Sequence, residues 1–235
     1  MKKDNRYLKA LAAAFPHTIP ILMGFSFLGM TYGIFMTASG FPWWYPCLTS
    51  VVIFAGSAEF VAVNLLLGAF DLAQAFFMTI MINARHVFYG ISMLEKYKGM
   101  GLKKFYLIFG LCDESFSINC TANIPEDVDK GLFMLFVTIL DHSYWVLGSS
   151  LGGIFGNFLH FNTTGLDFVM TAMFVVIFLE QWLKEKDHLS ALIGLFVSTA
   201  ALLVFGAESF LLPAMAGILV SLTLMRKRLE KGGVK

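Results

Sequence analysis

Charge is almost absent over long runs of this chain, and that feature leaves few folds open. Eight apolar stretches, at about 11–38, 43–70, 73–94, 105–120, 131–155, 166–183, 189–205 and 209–225, take up most of the 235 residues. A soluble domain of this size needs a charged shell. Here Asp, Glu, Lys and Arg make up only 14% of residues, against about 25% in ordinary globular chains. Hydrophobic residues make up 57% and the mean hydropathy is +0.73, so the polar surface is too small to face water on all sides. A net charge of +1 gives no field that would attract nucleic acid. Soluble enzyme, nucleic-acid binder and disordered chain are excluded. An all-α polytopic membrane protein of the inner-membrane type is left, expected as a single transmembrane domain over 1–235.

About 20 helical residues cross a hydrocarbon core of about 30 Å, so 166–183 and 189–205 read as plain spans. A helix over 43–70 would measure about 42 Å, and Gly56-Ser57-Ala58-Glu59 lies near its middle. The 131–155 stretch carries a similar tract, Gly148-Ser149-Ser150-Leu151-Gly152-Gly153. Both are predicted to be broken or re-entrant elements. Basic residues gather at 2–9, 96–104 and 226–235, and the positive-inside rule wants all three regions cytoplasmic. If 43–70 and 131–155 each leave on the side they entered, that condition is met and the acidic loop Glu126-Asp127-Asp129 falls outside. The expectation is six to eight transmembrane segments, including these two broken elements, with cytoplasmic basic tails at 1–9 and 226–235. Splitting 11–38 or 43–70 into two tilted spans fits the charges almost as well. The apolar run up to Ala38 is about twice the length of a signal-peptide core, so it reads as an uncleaved first segment.

Ionisable residues at membrane depth carry the chemical information, because each must face a cavity or a partner. Six places stand out: His17, Glu59, Asn83-Arg85-His86, Asp113-Glu114, Asp141-His142 and Glu180-Gln181. His17 and Glu180-Gln181 lie near segment ends, where snorkelling is ordinary. Arg85 cannot lose its proton and needs an anion or a polar cavity. It is a candidate anchor for a substrate carboxylate, or half of an internal pair with Glu59, Asp113 or Glu114. Asn83 and His86 share a helix face. An unwound stretch at Gly56 and Ser57 would offer free backbone amides to an anion. Asp113, Glu114 and His86 are candidates for carrying a proton, while Asp141-His142 read more simply as an interhelical hydrogen bond. Cys47, Cys112 and Cys120 form no paired motif. Walker and metal-ligand motifs are absent too. The reading is therefore a non-enzymatic protein without cofactor or bound metal, driven by an ion gradient.

The ordered set Pro20-Ile-Leu-Met-Gly24-Phe25, Phe54-Ala-Gly-Ser-Ala-Glu-Phe60, Asn83-Ala-Arg-His86-Val-Phe-Tyr-Gly90, Asp113-Glu114-Ser115 and Tyr144-Trp-Val-Leu-Gly148 resembles the AzlC family. This is the azaleucine-resistance, YgaZ-like branched-chain amino acid permease family. Phe178-Leu-Glu-Gln-Trp182 and His188-Leu-Ser-Ala-Leu-Ile-Gly194 are similar to its Gram-positive members. The resemblance implies an exporter of branched-chain amino acids acting with a small multi-spanning subunit of the AzlD or YgaH kind. On the residues, Arg85, Asn83, Gly56, Ser57 and Glu59 would bind substrate, and Asp113, Glu114 and His86 would couple protons. Export of another small hydrophobic or organic solute, or a scaffold subunit that does not itself transport, stays open.

Overall fold

The computed structural model describes residues 2–68, 71–158, 188–206 and 210–232, with isolated helical positions between 168 and 183. Regular structure among the described residues is entirely α-helical. The helices are α1 (Lys2–Ala38), α2 (Tyr45–Val52), α3 (Gly56–Leu67), α4 (Leu72–Met93), α5 (Lys103–Phe109), α6 (Asp113–Thr121), α7 (Lys130–Phe158), α8 (Leu189–Phe205) and α9 (Leu211–Gly232). They fall into two compact units, 1–167 and 168–235. In the second unit α8 packs on α9. The 166–183 stretch and Glu180-Gln181 lie largely outside the described residues.

In the first unit α1 and α7 run side by side in the same direction. Arg6 pairs with Asp129 and Lys9 with Asp127 at one end, while Gly156 meets Ile34 and Thr37 at the other. Glycines line the seam. A methyl group on Gly33 would run into the backbone of Ser149 and Gly153, and one on Gly152 into the backbone of Met30. Small residues thus let two backbones touch, the usual basis of helix association in lipid. This overturns the expected break in 131–155: its glycines pack against α1, and α7 runs unbroken for 29 residues. Arg6–Ala38 and Lys130–Phe158 are both long and apolar enough to cross a membrane.

The same ion pairs correct the sidedness. The acidic loop lies at the end that holds the N-terminal basic cluster, not at the opposite one. Asp127 accepts a 3.0 Å hydrogen bond from Lys9, which holds its carboxyl below the usual range. Tyr97 and Met100, from the second basic region, join Ala10, Ala14 and Leu132 at this end.

Two stretches double back between these long helices. The first is 43–70, as the sequence predicts, although the break falls at residues 53–55, just before the small-residue tract. Phe54 turns the chain with φ of 45°, a left-handed conformation uncommon for a bulky residue. Thr49 and Phe60, on either side of the break, both contact Tyr32, whereas Phe54 reaches deeper, to Phe25. The chain therefore descends, turns and returns. The second is 105–120, expected as one segment and divided instead at 110–112. Phe116 stacks on Tyr89 at 4.4 Å. Lys96 Nζ donates to the carbonyls of Asn119 and Cys120, so this hairpin returns to the end where α5 starts.

The two hairpins enter from opposite ends, and their tips meet where Phe54 lies 6.4 Å from Phe109. Part of their sequence corresponds: Ile53-Phe54 and Glu59 have the spacing of Ile108-Phe109 and Glu114, and each hairpin carries a Phe shortly after the acid, Phe60 and Phe116. The tyrosines that receive them match as well, with Tyr32 on α1 touching Phe60 and Tyr89 on α4 touching Phe116. α1 with its hairpin and α4 with its hairpin are thus similar arrangements of opposite orientation.

Gly33→Ala should lower stability by about 1–3 kcal/mol through overpacking. Gly24→Ala, with open space around it, should leave it unchanged; thermal unfolding in detergent measures both. Cysteines introduced at positions 9 and 127 should label from the same face of sealed vesicles, and labelling from opposite faces would contradict the ion pairs.

Candidate functional site

The two hairpins, α4 and α7 carry most of the ionisable residues that the sequence picks out. α4 presents Phe76, Phe77, Ile80, Val87, Phe88 and Ile91 outward, as a lipid-facing helix must. Its inner face carries Arg85 and Tyr89, one turn apart. Arg85 Nη2 pairs with Asp113 Oδ2 at 2.8 Å, and the Tyr89 hydroxyl donates to Asp113 Oδ1 at 2.5 Å. Asp113 opens α6, where free amides favour an anion. Of the partners the sequence leaves open for Arg85, the structure selects Asp113. The Arg85 Nε and Asn83 Oδ1 atoms are buried without a partner. Asn83 Nδ2 donates to the Thr79 carbonyl at 3.1 Å. His86 Nδ1 lies 3.2 Å from the Asn83 carbonyl, and its ring meets Tyr89 edge-on.

Glu59 sits apart from that pair and is fully buried. Its Oε1 accepts from the Ala55 amide at 3.1 Å and from Trp145 Nε1 at 2.9 Å. Its Oε2 lies 2.9 Å from Ser50 Oγ, and Ser50 Oγ lies 2.8 Å from Ser149 Oγ. Ser149 in turn donates to the Trp145 carbonyl. Each hydroxyl holds one hydrogen and a carbonyl only accepts. Ser50 Oγ thus serves both Glu59 and Ser149. Glu59 acts as a hydrogen-bonded tie that pins the first hairpin to α7. Gly56 packs directly on the Trp145 ring, where a methyl group would lie 3.0 Å away, and Ser57 is buried beside it. Both belong to the first turn of α3 rather than to an unwound stretch.

One residue that the sequence singles out turns out differently. Asp141, on the inner face of α7 one turn before Trp145, is fully buried, and neither of its oxygens has a partner. The interhelical hydrogen bond expected at Asp141-His142 belongs to His142 alone: Nδ1 meets the Tyr106 hydroxyl at 2.8 Å and Nε2 the Ser50 carbonyl at 3.2 Å. An Asp inside a long helix with no basic residue at helical spacing was the signal available. His17 packs edge-on against Phe133. Among the described residues no group of three or more His, Cys, Asp or Glu could hold a metal ion.

Residues 20–159 match the family described as AzlC protein. The chain is 62% identical over 234 residues to the branched-chain amino acid transport protein AzlC of Bacillus subtilis (strain 168), covering 100% of this chain and 92% of that one. It is 48% identical over 228 residues to an uncharacterized membrane protein of Haemophilus influenzae, with 97% and 93% covered. The inner membrane protein YgaZ of Escherichia coli (strain K12) is 25% identical over 178 residues, 72% of each chain. No solved structure matches. Paired helices long enough to span lipid, an outward apolar face and a family match across the central site lead to one statement: the chain is a membrane protein and belongs to the AzlC family.

Proposed function

We propose that this chain is a secondary transporter that exports branched-chain or similar neutral amino acids, driven by the proton gradient and acting with a small multi-spanning subunit. The amino acid class follows the name of the Bacillus subtilis relative. The observation that carries the reading is the Arg85–Asp113 pair, 2.8 Å long, beside the meeting point of two hairpins of opposite orientation. A cation and an anion held together in a membrane core are what a zwitterion needs. Inserted between them, the substrate offers its carboxylate to the two-pronged guanidinium and its ammonium to Asp113. Asn83 and the amides of Gly56 and Ser57 lie on neighbouring elements and would complete the polar contacts. Glu59 closes the hairpin tip above them. Protons would enter through Glu114 and His86, and Asp113 would take one when left without either cation.

The membrane arrangement that accompanies this reading has six crossings and two re-entrant hairpins. α1 leaves the cytoplasm, the first hairpin enters from outside, α4 returns, the second hairpin enters from the cytoplasm, and α7 leaves again. With the stretches at 166–183, 189–205 and 209–225 each crossing once, all three basic regions lie inside. Inverted repeats with broken helices at the midplane are the usual frame for alternating access.

Labelled leucine efflux from vesicles, with and without a pH gradient, tests the reading. Gradient-independent efflux excludes proton coupling, and no efflux from liposomes holding the chain alone favours the scaffold role. Arg85→Lys keeps the charge but loses the planar fork, so efflux should fall about tenfold or more with assembly intact. Near-normal efflux by that variant would refute the two-pronged contact. Glu59→Gln preserves an acceptor and a donor in the same positions and should keep transport within a few-fold of the parent, whereas Glu59→Ala should destabilise by about 1–3 kcal/mol on losing buried hydrogen bonds.

A further inference from the structure

We propose that Asp141 is the acid that carries the coupled proton, exchanging it with Glu114. The inference rests on the transporter reading and supplies the carrier residue. Four carboxyl groups lie at the heart of the first unit, and their contacts sort them. Asp113 holds a guanidinium at 2.8 Å and a phenol at 2.5 Å, so it stays ionised while that pair lasts. Glu59 has both oxygens occupied inside a sealed network. Glu114 is only partly buried and sits in the first turn of the second hairpin's return arm. Asp141 alone combines complete burial with two oxygens that meet no partner.

A buried carboxylate without partner or counter-ion is far costlier than a buried neutral acid, so in this conformation the proton resides on Asp141. Among the described residues no Lys or Arg pairs with it. From the second hairpin, Cys112 and Glu114 lie at the start of the arm that packs on α7. From α5, Tyr106 is engaged by His142, which also turns to the Ser50 carbonyl of α2. From α1, His17 packs about two turns away on Phe133. A sodium ion is a poor occupant, since a hard cation gathers several oxygens and none converge on Asp141. The arm that carries Glu114 packs on α7, and Gly110 before it meets Thr138, about one turn before Asp141, so Glu114 is the acid that the second hairpin brings to this part of α7. Transfer breaks the O–H bond on Asp141 and forms one on Glu114, with the pair's charge unchanged. Because Glu114 rides on the hairpin that opens toward the basic end, hairpin movement decides when the proton can leave.

The test follows uptake of labelled leucine into everted vesicles from cells expressing the full chain, in three arms: a pH gradient, a sodium gradient, and exchange against preloaded unlabelled leucine without any gradient. Asp141→Asn should keep exchange within about twofold of wild type and lose gradient-driven movement by about tenfold or more. Asp141→Glu should restore at least part of that coupling. Gradient-driven movement by Asp141→Asn equal to wild type overturns the proposal, and so does a wild type that follows sodium instead of pH. Wild type that moves no leucine in any arm defeats the transport reading itself, a different result. If Asp141→Asn does not assemble, infrared difference spectra of the Glu59→Gln protein decide the matter. A protonated-carboxyl band that changes on adding leucine supports the proposal, and the lack of one overturns it.

Discussion

Backbone contact between α1 and α7 sets everything else in the first unit. Hydrocarbon offers no hydrophobic drive to bring helices together, so association relies on close packing. Gly29, Gly33, Gly148, Gly152 and Gly156 let the two long helices approach until main-chain atoms touch. This seam fixes the height of Trp145, Ser149 and Asp141 on one helix relative to Phe25 and Tyr32 on the other. The first hairpin hangs on those fixed points: Phe54 on Phe25, Phe60 on Tyr32, and Glu59 on Trp145. The second hairpin meets the same helix through Tyr106 and His142.

Against that frame the charged groups play unequal parts. Asp113 is committed to Arg85, Glu59 is a hydrogen-bonded tie, and Asp141 is buried without a partner. The two hairpins differ: Glu59 is fully buried against α7, whereas Glu114 is half-buried. Two hairpins of opposite orientation with acids in unlike environments are what the proposed alternating cycle needs in one of its states. The exchange of those environments is the motion that the proposed transport cycle requires.

Much of this was legible in the sequence. Hydropathy identified the helical membrane class, and the length of 43–70 with its glycine and serine predicted a break there. Arg85 and Asp113 stood out because charges in lipid need partners, although Glu59 and Glu114 competed as the pair. The glycine tract of 131–155 misled, since small residues serve either to unwind a helix or to let another approach, and only a neighbour distinguishes the two. The break at 110–112 went unmarked because Gly110-Leu111-Cys112 carries little polarity. Sidedness failed for a related reason: net positive charge does not reveal that acidic residues 127 and 129 sit beside Arg6 and Lys9.

The sequence by itself determined that the chain lives in lipid as helices and which few side chains lie at depth, because transfer of charge and backbone into hydrocarbon depends on residue type alone. Tertiary structure decided which acid holds the arginine, which is tied down and which is left without a partner. Those outcomes turn on distances of a few ångströms between segments far apart in the chain, and local pattern does not encode them.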